Sequence, residues 1–137
     1  GNSINAGAGA DVVNGMAGND TLLGGAGADT VNGGLGNDRI DGGFDSDRMY
    51  GNAGADVFVF ADNFGRDVVS DFSVAALDKL SLDDQIWGGT VMTAAQVVSN
   101  FAHVVAGGVT FEFSANEAIT LTGLTSLSGL ANAIQIV

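Results

Sequence analysis

The stretch Gly33-Gly-Leu-Gly-Asn-Asp-Arg-Ile-Asp41, followed by Gly42-Gly-Phe-Asp-Ser-Asp-Arg-Met-Tyr50, decides the reading of this chain. The two segments repeat a pattern: a glycine doublet, an aspartate four places after its second glycine, and an apolar residue two places after the aspartate. Working outward from them, aspartates stand at Asp11, Asp20, Asp29, Asp38, Asp47 and Asp56, always nine residues apart. Two residues after each comes Val13, Leu22, Val31, Ile40, Met49 or Phe58. Ile4 extends that apolar column upstream, with Asn2 in the place of an earlier aspartate. Two residues before each aspartate is a glycine, except at Asp45.

Period nine is two and a half helical turns, so the apolar column would spiral around a helix, and each interior glycine would cost about 1 kcal/mol relative to alanine. Short strands separated by glycine turns satisfy the spacing better. The expectation is three extended residues with the middle one inward, then a six-residue loop, with two repeats forming one coil of a flattened parallel roll. Loops eighteen residues apart then stack at the strand spacing of about 4.8 Å. Asp11, Asp29 and Asp47 line one side, and Asp20, Asp38 and Asp56 the other. Facing carboxylates about 5 Å apart repel by roughly 3 kcal/mol at an effective dielectric near 20. A single aspartate in a turn is explained by hydrogen bonds to its own backbone. Six in strict register call for a hard divalent cation between them, and Ca²⁺ takes six to eight oxygens in a flexible shell. Glycine loops are free to turn carbonyl oxygens toward such an ion.

The repeats Gly24-Gly25-Ala26-Gly27-Ala28-Asp29-Thr30-Val31-Asn32 and Gly33-Gly34-Leu35-Gly36-Asn37-Asp38-Arg39-Ile40-Asp41 resemble the RTX nonapeptide, a calcium-binding β-helix repeat, over about residues 1–60. The resemblance implies a parallel β-roll over 1–60; the alternation and turn signals of 61–137 add the expectation of a β-rich, sandwich-like cap with a short helix that continues the roll, an all-β fold in sum. The resemblance also implies one Ca²⁺ between successive loops on a side, about four to six ions in all. One site then takes Gly7, Gly9, Asp11, Gly24, Ala26 and Asp29, and the next on that side Gly25, Gly27, Asp29, Gly42, Phe44 and Asp47. Opposite lie Met16, Gly18, Asp20, Gly33, Leu35 and Asp38, then Gly34, Gly36, Asp38, Gly51, Ala53 and Asp56. Gly43 and Asp45 are counted with these ligands, Asp45 either as an extra carboxylate or as a solvated side chain. Most of the set would offer backbone carbonyls. Met16 takes a place where a left-handed backbone is expected, which makes its site the weakest, whereas Asn52 tolerates that conformation better.

After Phe58 the nine-residue count stops. The segment that follows resembles the one after the repeats in RTX exoproteins, which implies a final calcium site from Asp71 and Asp78, with Asp62 and Asp67 behind them. "VFVFADNFGRDVVSDF" and "LDKLSL" alternate like half-buried strands. Thr93 is the expected cap of a helix with Val97, Phe101 and Val104 on one face. Val109, Phe111 and Phe113 face inward in a hairpin, and a turn or short helix precedes a last strand ending at Val137.

Composition narrows the function classes. The formal net charge is −12, so nucleic acid and anionic membranes would be repelled and cations attracted. With no cysteine, thiolate chemistry is excluded. His103 is the single histidine, and no HExxH, nucleophile elbow or P-loop occurs. The expectation is a non-catalytic, calcium-folded C-terminal module of a secreted bacterial protein, with the type I secretion apparatus and an upstream domain of the same polypeptide as partners, and no membrane insertion. An adhesin or polysaccharide-binding module and the tail of a secreted protease, lipase or alginate epimerase are the alternatives.

Overall fold

A computed structural model describes residues 1–137. Two sheets face each other, and successive strands alternate between them. The first six strands are β1 (Ser3–Ala8), β2 (Val12–Asn14), β3 (Thr21–Ala26), β4 (Thr30–Leu35), β5 (Arg39–Phe44) and β6 (Arg48–Ala53). They are followed by β7 (Val57–Phe60), β8 (Arg66–Val69) and β9 (Lys79–Leu82). Within each sheet these strands pair in parallel: Leu22 lies between Ile4 and Ile40, and Val31 between Val13 and Met49. The period of eighteen read from the aspartates is thus the coil repeat.

Most strands are longer than expected, six residues rather than three. Pairing continues through the second and third loop positions, so that Gly25 is opposite Gly7 and Gly43, and Ala26 opposite Ala8 and Phe44. Glycine makes this possible. A Cβ on Gly25 would lie 1.9 Å from the Gly7 carbonyl oxygen, so a side chain there would force the two coils to shift.

The inward column is fully buried: Leu22, Val31, Ile40, Met49 and Phe58 are at most 1% exposed. It does not end at Phe58. Phe58 is opposite Leu80, Met49 is opposite Val69, and Leu80 and Val69 are themselves buried. The same register therefore passes through β8 and β9, although the nine-residue count stops after Phe58 as expected. The linking segments are two and four residues longer than in the regular repeats, which hides the period in a simple count.

The C-terminal region extends both sheets. One sheet continues from β9 to β13 (Ile134–Ile136), parallel, with Ile134 opposite Leu80. The other continues from β8 to β12 (Ala118–Thr122), parallel, and then antiparallel through β11 (Gly108–Glu112) and β10 (Ala102–Val105). Helix α1 (Ala94–Phe101) starts at Thr93, whose hydroxyl oxygen accepts the Gln96 N–H while the Gln96 side chain accepts the Thr93 N–H. The helix ends at Phe101, so Val104 lies in β10 and is exposed rather than on the helical face expected for it. Val109 and Phe111 are inward as expected, and Phe113 packs against the core edge with Trp87 and Phe101, at ring-centroid distances of 6.0 and 5.0 Å. A short helix α2 (Leu130–Ala133) leads into β13.

Candidate metal centre

The glycine loops set the geometry of the two loop stacks. Every second and fourth loop position from Gly7 to Gly54 has a positive φ, including the non-glycine residues Met16 (75°), Asp45 (77°) and Asn52 (66°). Alternation of left-handed and ordinary backbone turns successive peptide groups to opposite sides, so that neighbouring coils meet loop to loop. The N–H groups of Gly9, Gly18 and Gly36 donate to the carbonyls of Ala26, Leu35 and Ala53 at 2.7–2.8 Å. Each of these pairs joins a fourth position to the third position of the next coil, which are members of one expected site.

The aspartates form two ladders. On one side the Asp11 N–H donates to Asp29 Oδ1 and the Asp29 N–H to Asp47 Oδ1, at 2.7 and 2.8 Å. On the other, Asp20 donates to Asp38 and Asp38 to Asp56, both at 2.8 Å. Asn2 N–H also donates to Asp20 Oδ1. One oxygen of each carboxylate from Asp20 to Asp56 therefore locks the preceding coil. The other oxygen has no partner: Oδ2 of Asp11, Asp20, Asp29, Asp38, Asp47, Asp56 and Asp67 is buried without a hydrogen bond. All but Asp11 are at most 3% exposed.

A buried, unpaired carboxylate oxygen is costly unless a cation or proton meets it. Burial pushes Asp47 and Asp56 up to about 6 from an ordinary value of 3.8, against the lowering effect of a backbone hydrogen bond and with a smaller upward push from neighbouring aspartates. The orphaned oxygens of Asp20, Asp29, Asp38, Asp47 and Asp56 each lie against the first glycine of their own loop. A Cβ on Gly24 would come within 2.5 Å of Asp29 Oδ2 and 2.5 Å of the Gly42 carbonyl oxygen, and one on Gly33 within 2.4 Å of Asp38 Oδ2. Gly42 and Gly51 stand in the same relation, 2.3 Å, to Asp47 and Asp56. Carboxylate and carbonyl oxygens thus converge where only a residue without a side chain fits. The donor set is all oxygen, which suits a hard cation such as Ca²⁺ and offers nothing to a soft metal. No three acidic, histidine or cysteine side chains gather around one point, so carbonyls must complete any shell.

Asp71 and Asp78 are held differently. Asp71 accepts the N–H groups of Gly51 and Asn52 at 3.0 and 2.8 Å, clasping a loop of the preceding coil. Asp78 accepts from Asp56 N–H at 3.0 Å and Ser73 N–H at 2.8 Å, so it is a ladder rung with both oxygens engaged. Asp67 is the rung that nine-residue counting does not reach, because it lies eleven residues after Asp56. Its signal was present in Gly65 two places before it and Val69 two places after. Phe44 and Leu35, expected to contribute carbonyls only, carry exposed side chains.

Comparison with known proteins agrees with this geometry. The model of the RTX calcium-binding nonapeptide repeat matches residues 1–31 and 23–58, four copies in all. The solution structure of the AlgE6R3 subunit from the Azotobacter vinelandii mannuronan C5-epimerase is similar, with a TM-score of 0.59 and 26% identity, over 94% of this chain and 82% of that one. No curated protein matches the chain. The RTX calcium-binding nonapeptide repeat signature thus falls on residues 1–58, the same residues that build the parallel β-roll and its two ladders of buried carboxylates.

Proposed function

We propose that calcium folds this module: residues 1–60 form a calcium-dependent β-roll and residues 61–137 cap its open end. The observation that carries the reading is the row of buried, unpartnered Oδ2 atoms, which makes the ion-free roll costly. The ligands are those of the RTX pattern, from Gly7 to Asp56, with about four to six ions. Extracellular modules commonly bind Ca²⁺ with Kd near 10⁻⁴–10⁻³ M. At tenfold excess each site adds roughly 1.4 kcal/mol, so about five add roughly 7 kcal/mol. That rivals the total stability of a typical domain, about 5–15 kcal/mol. A chain carrying charge −12 and stripped of calcium repels itself and stays extended, a form suited to export through a type I secretion apparatus. Folding outside the cell would then stabilise an upstream domain. The chain acts as a non-catalytic part of its parent. Far-UV circular dichroism tests the reading: a calcium titration of the stripped chain should build β-structure cooperatively, and a chelated chain already fully β-folded would overturn it.

Similarity to a module of a mannuronan C5-epimerase favours a second reading, in which the module also engages a polysaccharide. A groove of about 410 Å³ runs across the outer face of one sheet, past Asn5, Leu23, Asp41 and Phe44. Titration of the calcium-loaded chain with mannuronan oligomers, followed by NMR, should shift Leu23 and Phe44; unmoved resonances would remove this reading.

A further inference from the structure

We propose that Asn14 and Asn32 are sites of self-modification that folding closes: in the calcium-free chain each deamidates through the glycine that follows it, and the product spoils the calcium site between their loops. The proposal rests on the calcium reading of the regular repeats. Of the eleven asparagines in the chain, only Asn14 and Asn32 precede a glycine. The backbone nitrogen after an asparagine can attack the side-chain carbonyl carbon. The new N–C bond closes a five-membered succinimide, and the amide nitrogen leaves as ammonia, taking with it the proton of the attacking N–H. Water then opens the ring at either carbonyl, giving aspartate or isoaspartate. In sum, amide and water become carboxylate and ammonium, with no other reactant. Glycine speeds the first step because no side chain crowds its nitrogen and its backbone angles are the least restricted.

In the folded roll both requirements of that step are denied. Asn14 ends β2 and Asn32 lies within β4, directly opposite, with Tyr50 opposite Asn32 on the far side. The Gly15 N–H donates to the Asn32 carbonyl at 2.9 Å, so the nitrogen that would attack Asn14 is held by the next coil. Ring closure also needs rotation about the asparagine Cα–C bond away from the extended conformation, which a paired strand resists. Asn14 is exposed and Asn32 half-buried, so water reaches both side chains. Protection therefore comes from the backbone and is lost when the coils separate.

The damage converges on one place. Gly15 and Gly33 head successive loops on the side of Asp20 and Asp38. A Cβ on Gly15 would lie 2.4 Å from the Gly33 carbonyl oxygen and 2.8 Å from Asp20 Oδ2, and one on Gly33 would lie 2.4 Å from Asp38 Oδ2. Both reactive bonds thus lead into the expected site of Met16, Gly18, Asp20, Gly33, Leu35 and Asp38. Isoaspartate formed from Asn32 adds a backbone carbon immediately before Gly33, where the cradle has no room for one. A chain kept waiting without calcium loses the means to use it, whereas prompt folding preserves both asparagines.

The test is to age the full chain in mildly alkaline buffer with EDTA, with saturating CaCl₂, or with urea, and to follow each asparagine by peptide mass spectrometry. With EDTA, conversion at Asn14 and Asn32 should run severalfold faster than in calcium and faster than at the nine other asparagines. Equal rates in calcium and in urea, or conversion led by other asparagines, would overturn the proposal. A chelated chain that stays folded by circular dichroism and unmodified would refute the calcium reading instead. The urea-unfolded chain then carries the test, and Asn14 and Asn32 unconverted there would overturn the proposal. After EDTA ageing and return to calcium, the wild type should regain less β-structure and bind fewer ions than when fresh. Asn14→Gln with Asn32→Gln, which must close a slower six-membered ring, should match its own fresh sample. Aged wild type with converted asparagines that binds calcium as fresh protein does would refute the link to the site.

Discussion

The backbone N–H of Asp29 donates to Oδ1 of Asp47, 2.8 Å away and eighteen residues later, while Oδ2 of the same carboxylate stays buried and unpaired. One side chain thus does two jobs: one oxygen sets the coil register, the other is left for a cation or a proton. Replacing Asp47 by Asn should separate them. The ladder bond survives, so the β-roll still forms in high calcium, but the midpoint of the calcium titration should rise severalfold. Asp47→Ala also leaves the Asp29 N–H without its acceptor and should cost a further 1–3 kcal/mol, roughly. Chemical denaturation at saturating calcium distinguishes the two variants.

Met16 sits at φ 75° with its side chain exposed. A left-handed backbone costs a non-glycine residue about 1–2 kcal/mol, and an exposed side chain returns little packing. Met16→Gly should therefore stabilise the calcium-loaded chain by about 1 kcal/mol, a rise of roughly 3 °C in melting temperature. Differential scanning calorimetry reads this directly.

The reverse change should do the opposite at Gly33, where an added Cβ would fall 2.4 Å from Asp38 Oδ2 and 2.9 Å from the Gly51 carbonyl oxygen. Both atoms belong to the oxygen cradle, so Gly33→Ala should weaken calcium binding as well as stability, by roughly 1–3 kcal/mol. Isothermal titration calorimetry should show the affinity loss on the side of the roll carrying Asp20, Asp38 and Asp56.

Stability without calcium should depend on pH in an unusual direction. Burial raises Asp47 and Asp56 to about 6 and Asp67 to about 8, above the value of 3.8 expected once unfolded. The folded state therefore holds protons that the unfolded state releases, and stability falls as pH rises through about 6 and then about 8. In calcium-free buffer the melting temperature should be higher at pH 5 than at pH 8. With calcium in excess the order should reverse, because protons compete with the ion for the same oxygens. Thermal melts at the two pH values, with and without calcium, check both signs.

Leu121 is buried in β12, which pairs with β8 and so joins the C-terminal region to the roll. Leu121→Ala should destabilise the whole chain by about 2–5 kcal/mol, and the calcium-loaded roll should melt together with the cap in one transition. Two separate transitions, probed by Trp87 fluorescence and far-UV circular dichroism, would show the cap to be energetically independent.

The regular loops were legible because period nine is a chemical constraint as well as a geometric one. Gly25 must lack a Cβ to stack on Gly7, Asp29 must reach back to the preceding coil, and Val31 must face inward, and each demand falls on one residue type. The strand lengths were less legible. Stacked glycines pair like strand residues once the coils are in contact, although glycine in a sequence signals a turn.

By itself the sequence determined the coil repeat, the inward column, the two acidic rows and the chemistry of a hard cation, because these recur at short, fixed spacing along the chain. Tertiary structure alone decided how the repeat ends. Asp67 and Asp78 become rungs through insertions of two and four residues that only strand pairing can absorb, and their fates diverge because Ser73 folds back to donate its N–H to Asp78 while no such donor reaches Asp67. Which carboxylate is left open depends on backbone groups brought together across the fold, and no local pattern encodes that meeting.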